Sequence, residues 1–364
     1  MHNDNVKVLH LLVSGTYGGI ESLINNYADY SKLDNQFVFA FEGGEISEEM
    51  KNKNHKVEIL NGRNNNLLYL YKQIDQICKK EQIDILVTHH SSVKLKLIAL
   101  ILKQKYKFKL ITYAHSAVDE ILFDHSKFSF IKSLIARINM KHCDSIFAVS
   151  NYIKNGIVER IKVKENKVSV IYNCIDLKNI TPKLTKTKIN NLIYVGRLKQ
   201  AKGIDNIINA LNLMDSSKYS LTIVGKGDYS DELKELSKSK SNITFTGKVV
   251  SIYDYLYKAD AFIHIPNWNE GFGITTLEAM ASGLIFIGAI NGATPELIID
   301  GYNGFLIEKS DPNLLKDKIE EINSSYSEEE LLNIRKNAIE TAKKFSAPVF
   351  AENLDKLFKN ELKA

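Results

Sequence analysis

Residues 270–283 read EGFGITTLEAMASG, and the organisation of the chain follows from what surrounds them. The apolar run 261–265 before this stretch has the length of a buried strand, and so does the run 284–287 after it. Between them, Gly271 and Gly273 let the backbone turn and approach a ligand closely, and ITTLEAMA then opens a helix. Outward from here the same alternation recurs, with strands predicted at 191–195, 220–224 and 243–246 on one side and 304–307 on the other. A second series lies earlier, at 6–13, 37–41, 57–60, 83–88, 109–113, 145–149 and 168–172, with helices such as 20–31 and 67–80 between them. Alternation of this kind indicates α/β architecture, in which parallel sheets carry helices on both faces.

The two series are separated by LKNITPKLTKTKIN, residues 177–190, which has a proline, several Thr and Lys, and no buried-strand pattern. It reads as a linker between a domain at 1–176 and a second at 191–344, with helical stretches near 328–344 and 348–359 closing the chain. A length of 364 residues suits two domains. In doubly wound sheets, ligands sit at the carboxyl ends of strands, near helix N-termini, so the informative residues are expected just after strands.

Composition narrows the classes. Hydrophobic residues make up 44% and charged residues 25%, ordinary for a globular chain, and the net charge of +5 is too mild to imply nucleic acid. Cys78, Cys143 and Cys174 are odd in number and far apart, which argues against a disulfide framework and for three buried thiols in a reducing compartment. No segment has the length and apolarity of a membrane span, and the run 6–13 leads into a glycine loop and an amphipathic helix, so it reads as a first strand rather than a signal peptide. The location expected is cytoplasmic, with peripheral contact at the inner face of the plasma membrane as an option.

Glu270 and Glu278 flank the start of the helix that follows strand 261–265. First-turn amides and the helix dipole suit a phosphate or a developing negative charge, and the carboxylates suit sugar hydroxyls. Taken alone, the pair also fits a solvated helix carboxylate and a dipole-compensating one. VGRLKQAKG, residues 195–203, places Arg197 and Lys202 just after the first strand of the second series; Arg offers a planar fork for phosphate oxygens and Lys a mobile point charge. SGTYGGIES, residues 14–22, follows the first strand, but its glycines do not have dinucleotide spacing, and it equally fits a tight strand-to-helix turn. His115 ends another strand. There is no Asp-x-Asp pair and no clustered Cys/His set, so no metal is expected.

Taken in order along the chain, these pieces resemble the retaining glycosyltransferases of the GT-B fold, family 4 (glycosyl transferases group 1). The resemblance covers nearly the whole chain: Gly18-Gly19 with Glu21, His115, Gly196-Arg197 with Lys202-Gly203, Gly225-x-Gly227, Gly247, the Glu-x7-Glu element Glu270–Glu278 with Ala-Met-Ala-Ser-Gly, Pro295-Glu296 and the turn 300–304. It implies two Rossmann-like domains facing across a cleft, acceptor-side at 1–176 and nucleotide-sugar-binding at 191–344. The final helix, 345–364, would cross back to the first domain.

The catalytic set implied is Glu270, His115, Arg197 and Lys202. The donor set implied is Gly18, Gly19, Arg197, Lys202, Gly247, Lys248, Glu270, Gly271, Phe272, Gly273, Ile274, Thr275 and Glu278, with Arg197 and Lys202 on the diphosphate, Glu278 on the ribose and Gly247-Lys248 near the base. Thr275-Thr276, Leu284 and Cys174 depart from the family's frequent residues; the first pair alters the wall of the sugar pocket.

The activity implied is hexosyl transfer from a nucleotide-sugar, UDP-sugar favoured, to a glycan or lipid-linked acceptor, without metal or other cofactor. Bacterial surface polysaccharide assembly (capsule or exopolysaccharide) is the expected setting. The alternatives are a nucleotide-sugar epimerase on the same scaffold and a non-catalytic partner subunit. Two stretches combine cations with apolar residues and suit a membrane surface: 92–110, with Lys103, Lys105 and Lys107, and 127–141, with Lys127, Phe128, Phe130, Lys132 and Arg137. Their apolar residues would equally serve a domain core.

Overall fold

All thirteen apolar runs form strands, and all of these are parallel. The structure, a computed structural model, describes residues 6–62, 66–89, 92–119, 129–178, 180–182, 184 and 187–363. The strands are β1 Lys7–Ser14, β2 Asp34–Glu42, β3 Lys56–Ile59, β4 Ile85–Thr88, β5 Lys109–Ala114, β6 Ser145–Ala148 and β7 Val168–Val170, then β8 Asn191–Val195, β9 Ser220–Val224, β10 Ile243–Gly247, β11 Ala261–His264, β12 Ile285–Ala289 and β13 Phe305–Ile307. They form a seven-stranded sheet ordered β3-β2-β1-β4-β5-β6-β7 and a six-stranded sheet ordered β10-β9-β8-β11-β12-β13. In each sheet the order reverses beside the first strand, between β1 and β4 and between β8 and β11. Those switch points are where such sheets bind ligands.

Strands covered by helices on both faces have no solvent side, and so β4, β6, β11 and β12 are buried from end to end. The helices begin where the sequence supplies caps. Ser92 and Ser150 accept from Leu95 N and Ile153 N, Asp311 precedes Pro312 at the first helical position, and Ser327 with Glu330 makes a reciprocal capping box.

The chain divides into two compact units, one comprising Met1–Cys174 with Ala347–Ala364, the other Ile175–Ser346. The final helix, Ala347–Glu361, joins the first unit through Asp355, whose buried carboxylate accepts from Tyr27 Oη at 2.7 Å, Ser31 Oγ at 2.8 Å and Lys32 N at 2.8 Å. The stretch 177–190 is not a free tether. Ile189 is fully buried in the core of the second unit, and its backbone N–H and C=O both pair with the Asn323 side chain at 2.8 Å. The three cysteines are free and buried. Among the described residues no helix is long and apolar enough to cross a membrane.

Candidate functional site

In the second unit the carboxyl ends of β10, β9, β8 and β11 lie side by side. Gly225 N donates to Gly247 O at 3.0 Å, and Gly196 N to Val224 O at 3.0 Å. Gly247, Gly196-Arg197 and Lys202 therefore share one edge with the residues that follow β11.

Lys202 and Glu270 are 68 residues apart in sequence and meet because β8 and β11 are neighbours. Lys202 Nζ donates to Glu270 Oε1. The turn carrying Lys202 presses on the end of β11 so closely that a Cβ at Gly203 (φ +65) would lie 2.1 Å from Ile265 O. Asn267 N donates to Ala201 O at 3.0 Å and ties the two loops together. On its other side the Glu270 backbone is held by the turn after β12: its N–H donates to Asn291 Oδ1 at 3.1 Å, and its carbonyl accepts from Ala293 N at 3.0 Å. A Cβ at Gly292 (φ +52) would fall 2.2 Å from Glu270 O, so only glycine fits there.

Two residues not singled out in the sequence complete this surround. His264 ends β11, is buried, and brings Nε2 to 3.7 Å from Glu270 Oε1. Asn291 fixes the Glu270 backbone and donates from Nδ2 to Pro266 O at 3.1 Å. Neither has a sequence signal, because a histidine inside an apolar run and an asparagine before a glycine turn are common in cores and loops. Burial opposes ionisation of Glu270, but His264 when protonated, Lys202 through charge and hydrogen bond, and Arg197 outweigh that penalty and hold the carboxyl below the usual glutamate value. Burial lowers the pKa of His264, against the pull of Glu270.

The helix Ile274–Ala281 starts at Gly273, so the amides of Ile274 and Thr275 open it beside Glu270. Glu278 lies one turn further on. It is half-buried, and desolvation with no cation to offset it pushes its carboxyl up to about 7. Phe272 is buried with its ring against Phe345, centroids 5.7 Å apart. Its ring is therefore turned into the core, and only its backbone is left to face this edge. Arg197 and Lys248 are exposed, and the space beside Gly247 is open.

In the first unit, Gly18 caps the helix Gly19–Tyr30, with the Glu21 carboxyl so close that a Cβ at Gly18 would meet Oε2 at 2.5 Å. His115 follows β5, stacked on Tyr113 at 4.3 Å, and its Nε2 lies 3.2 Å from Nδ1 of His89, which follows β4 at the switch point. Among the described residues no three His, Cys, Asp or Glu side chains cluster to hold a metal ion.

The chain matches two family models in succession, "Glycosyltransferase Family 4" over residues 17–179 and "Glycosyl transferases group 1" over residues 177–345. It is 26% identical over 339 residues to the O-antigen biosynthesis glycosyltransferase WbnH of Escherichia coli, covering 92% of this chain and 94% of that one. An uncharacterised 41.2 kDa protein of the cps region of Klebsiella pneumoniae is 27% identical over 339 residues, covering 88% and 90%. Among solved structures, Anabaena HepE in complex with UDP superposes with a TM-score of 0.82 at 20% identity, over 98% of this chain and all of that one, which shows a shared GT-B fold.

Proposed function

This chain belongs to the family 4-type glycosyltransferases of the GT-B fold, and from that premise we propose that it moves a sugar, with retention of configuration, from a UDP-sugar to a glycan or lipid-linked acceptor. The observation that carries the reading is the cationic, amide-rich edge of the second unit. Lys202 and Glu270 are in contact there, with Arg197 and the start of the helix Ile274–Ala281 beside them. HepE, of the same fold, has been solved with UDP and with UDP-glucose, which favours uridine nucleotides. The names of WbnH and of the cps-region protein favour a surface-polysaccharide setting.

The chemical problem is to expel a nucleoside diphosphate while positive charge develops on the sugar. Arg197, Lys202 and the amides of Ile274 and Thr275 stabilise the leaving charge. The acceptor attacks the face the diphosphate leaves, and the departing phosphate takes the hydroxyl proton. Glu270, kept ionised, positions the sugar. His115 and the Gly18-Gly19 turn are assigned to the sugar and acceptor, and Gly247-Lys248 to the base. An α-linked donor is then expected to give an α-linked product, read from the anomeric coupling constant by NMR; a β product would remove the mechanism. Donor converted to a new sugar nucleotide without acceptor would point to an epimerase instead.

Glu278, assigned to the ribose hydroxyls, makes binding depend on pH. Hydroxyls donate best to an ionised carboxylate, and a group titrating at about 7 is one-tenth ionised at pH 6 and nine-tenths at pH 8. UDP affinity should therefore rise between these values, by at most about tenfold. The Glu278→Gln variant should lose this component, leaving only the nucleotide's own titration. Equal slopes in calorimetric titrations of the two proteins would overturn the ribose assignment.

A lipid-linked acceptor calls for membrane contact, and of the two candidate stretches one fits. On the helix Val93–Lys105 the apolar residues Leu95, Ile98 and Leu102 are buried, while Lys103 pairs with Asp144 and Lys105 with Asp75. Reversing those lysines would disturb ion pairs rather than test a membrane surface. On the helix Ser129–His142, Phe130, Ile131, Leu134 and Ile138 are instead exposed, by 79%, 51%, 46% and 40%, and Lys141 of the same helix and Ile101 of the helix packed against it are exposed as well. Lys127 and Phe128 lie outside the described residues. The protein is expected to cosediment with anionic liposomes, less so as salt rises, and not when Phe130 and Leu134 are both changed to Asp. Wild-type protein left in the supernatant at low salt would favour a soluble acceptor.

A further inference from the structure

Three histidines of the first unit form a ladder across three adjacent strands. His10 lies within β1, and β1 is registered on β4 so that His10 pairs with Val87, two residues before His89; in turn Val87 pairs with Ile111 on β5, and His115 lies four residues on. Side chains two apart share a face, so each step rises toward the carboxyl edge on one side of the sheet. The rings are in hydrogen-bond contact: His10 Nδ1 to His89 Nε2 at 2.9 Å, and His89 Nδ1 to His115 Nε2 at 3.2 Å. His10 and His89 are fully buried.

The lower end of the ladder sets its direction. His10 Nε2 is 3.0 Å from Asn35 Oδ1. The amide of Asn35 is oriented by its own donations from Nδ2 to Ser31 Oγ at 2.7 Å and to Leu33 O at 3.3 Å, and a backbone carbonyl can only accept. Asn35 Oδ1 is therefore an acceptor, and His10 must carry its proton on Nε2. A neutral imidazole then has Nδ1 as its acceptor, so His89 must donate from Nε2. His115 by the same rule donates from Nε2 to His89 Nδ1. Burial, which outweighs the Asn35 hydrogen bond, lowers the pKa of His10 to about 4 and so keeps it neutral near pH 7.

We propose that His10 and His89 are positioning residues, which lock His115 as its Nε2–H tautomer and hold its ring in place at the carboxyl end of β5. The lock is a property of the ladder; that transfer depends on it rests on the function proposed above. A histidine released from the ladder would exchange between both tautomers and lose the bond that orients its ring. Loss of a partner that orients a working imidazole costs about 10- to 100-fold or more in other systems.

The test separates the two layers. In protein carrying ¹⁵N-histidine, the ring nitrogens of His115, identified among nine histidines by a His115→Gln spectrum, are expected at the shifts of an Nε2–H tautomer. In His89→Leu they should move toward an average of both tautomers, and transfer should fall about tenfold. Should that variant fail to fold, His10→Phe breaks the ladder one rung lower; Phe37 already stacks on that ring at 4.9 Å, and the signals of His89 and His115 should both move. A wild-type His115 protonated on Nδ1, or His115 shifts unchanged in the folded variants, would overturn the lock. Released tautomers with undiminished transfer would uphold the lock and remove His115 from the reaction.

Discussion

Replacing Lys202 by alanine is expected to slow transfer by roughly a hundredfold or more, about 2.7 kcal/mol of transition-state stabilisation, and Arg197→Ala should have a comparable effect. The expectation follows from position and charge together. Lys202 Nζ is hydrogen-bonded to Glu270 at the β8–β11 switch point, and Arg197 lies five residues earlier on the same loop. Neither is part of the core: Arg197 is exposed, and the Lys202 side chain keeps about a quarter of its surface. Folding should therefore survive both changes, and the loss should appear in kcat of purified, folded protein. Removing Lys202 also takes away one of the charges that hold Glu270 ionised, so part of the loss should pass through that carboxylate. Because the side chains and amides carry the leaving charge in this mechanism, wild-type transfer should persist in excess EDTA. Near-normal rates in either alanine variant, or a rate that collapses with EDTA and returns with Mg²⁺, would sink the assignment.

The Arg335→Ala variant should lose roughly 3–5 kcal/mol of stability in the second unit. Arg335 is the largest fully buried side chain of the protein's described residues. It donates from Nη1 to Asp260 O at 2.8 Å and to Gly283 O at 3.0 Å, and from Nη2 to Thr187 O at 3.4 Å. Desolvation brings its pKa down to about 10, against the nearby Asp260 charge, so it remains charged at neutral pH. One guanidinium thus joins the helix Glu328–Lys343 to the residues leading into β8, β11 and β12. Alanine would take this donor from the buried Gly283 carbonyl and leave a cavity the size of the lost side chain, while Asp260 O would keep its bond from Ile285 N. Methionine, which fills much of that volume, should cost less. Urea unfolding of the three proteins, followed by hydrogen exchange of amides in 261–289, reads the effect; a loss below about 1 kcal/mol for alanine would show that the backbone carbonyls find other donors.

Helix faces show a limit of sequence patterning. The helices Val93–Lys105 and Ser129–His142 are similar in composition, with cations among Leu, Ile and Phe. Yet the first leaves only Ile101 of its apolar residues exposed, and the second exposes Phe130, Ile131, Leu134 and Ile138. Periodicity says that an apolar face exists; which neighbours cover it is a tertiary property. Residues 177–190 show the same limit in reverse. One buried isoleucine among polar residues makes no pattern, so Ile189 is invisible until its cavity and Asn323 are in place.

What the sequence by itself determined was the strand set, the fold class and the glycine- and charge-bearing loops that follow the strands. Parallel strands buried on both faces must be written as unbroken apolar runs, and ligand-binding turns after them need glycines and charges in short, fixed spacing. What only the tertiary structure decided was which distant groups meet. Glu270 and Lys202 touch because the sheet order places β11 against β8. His264 and Asn291 enter their surround through that same packing, and His10, His89 and His115 form one ladder through the register of β1, β4 and β5. A lone histidine in an apolar strand carries no local mark of its partner. Its proton is placed by a hydrogen bond to a residue tens of positions away, and that contact exists only once the strands are side by side.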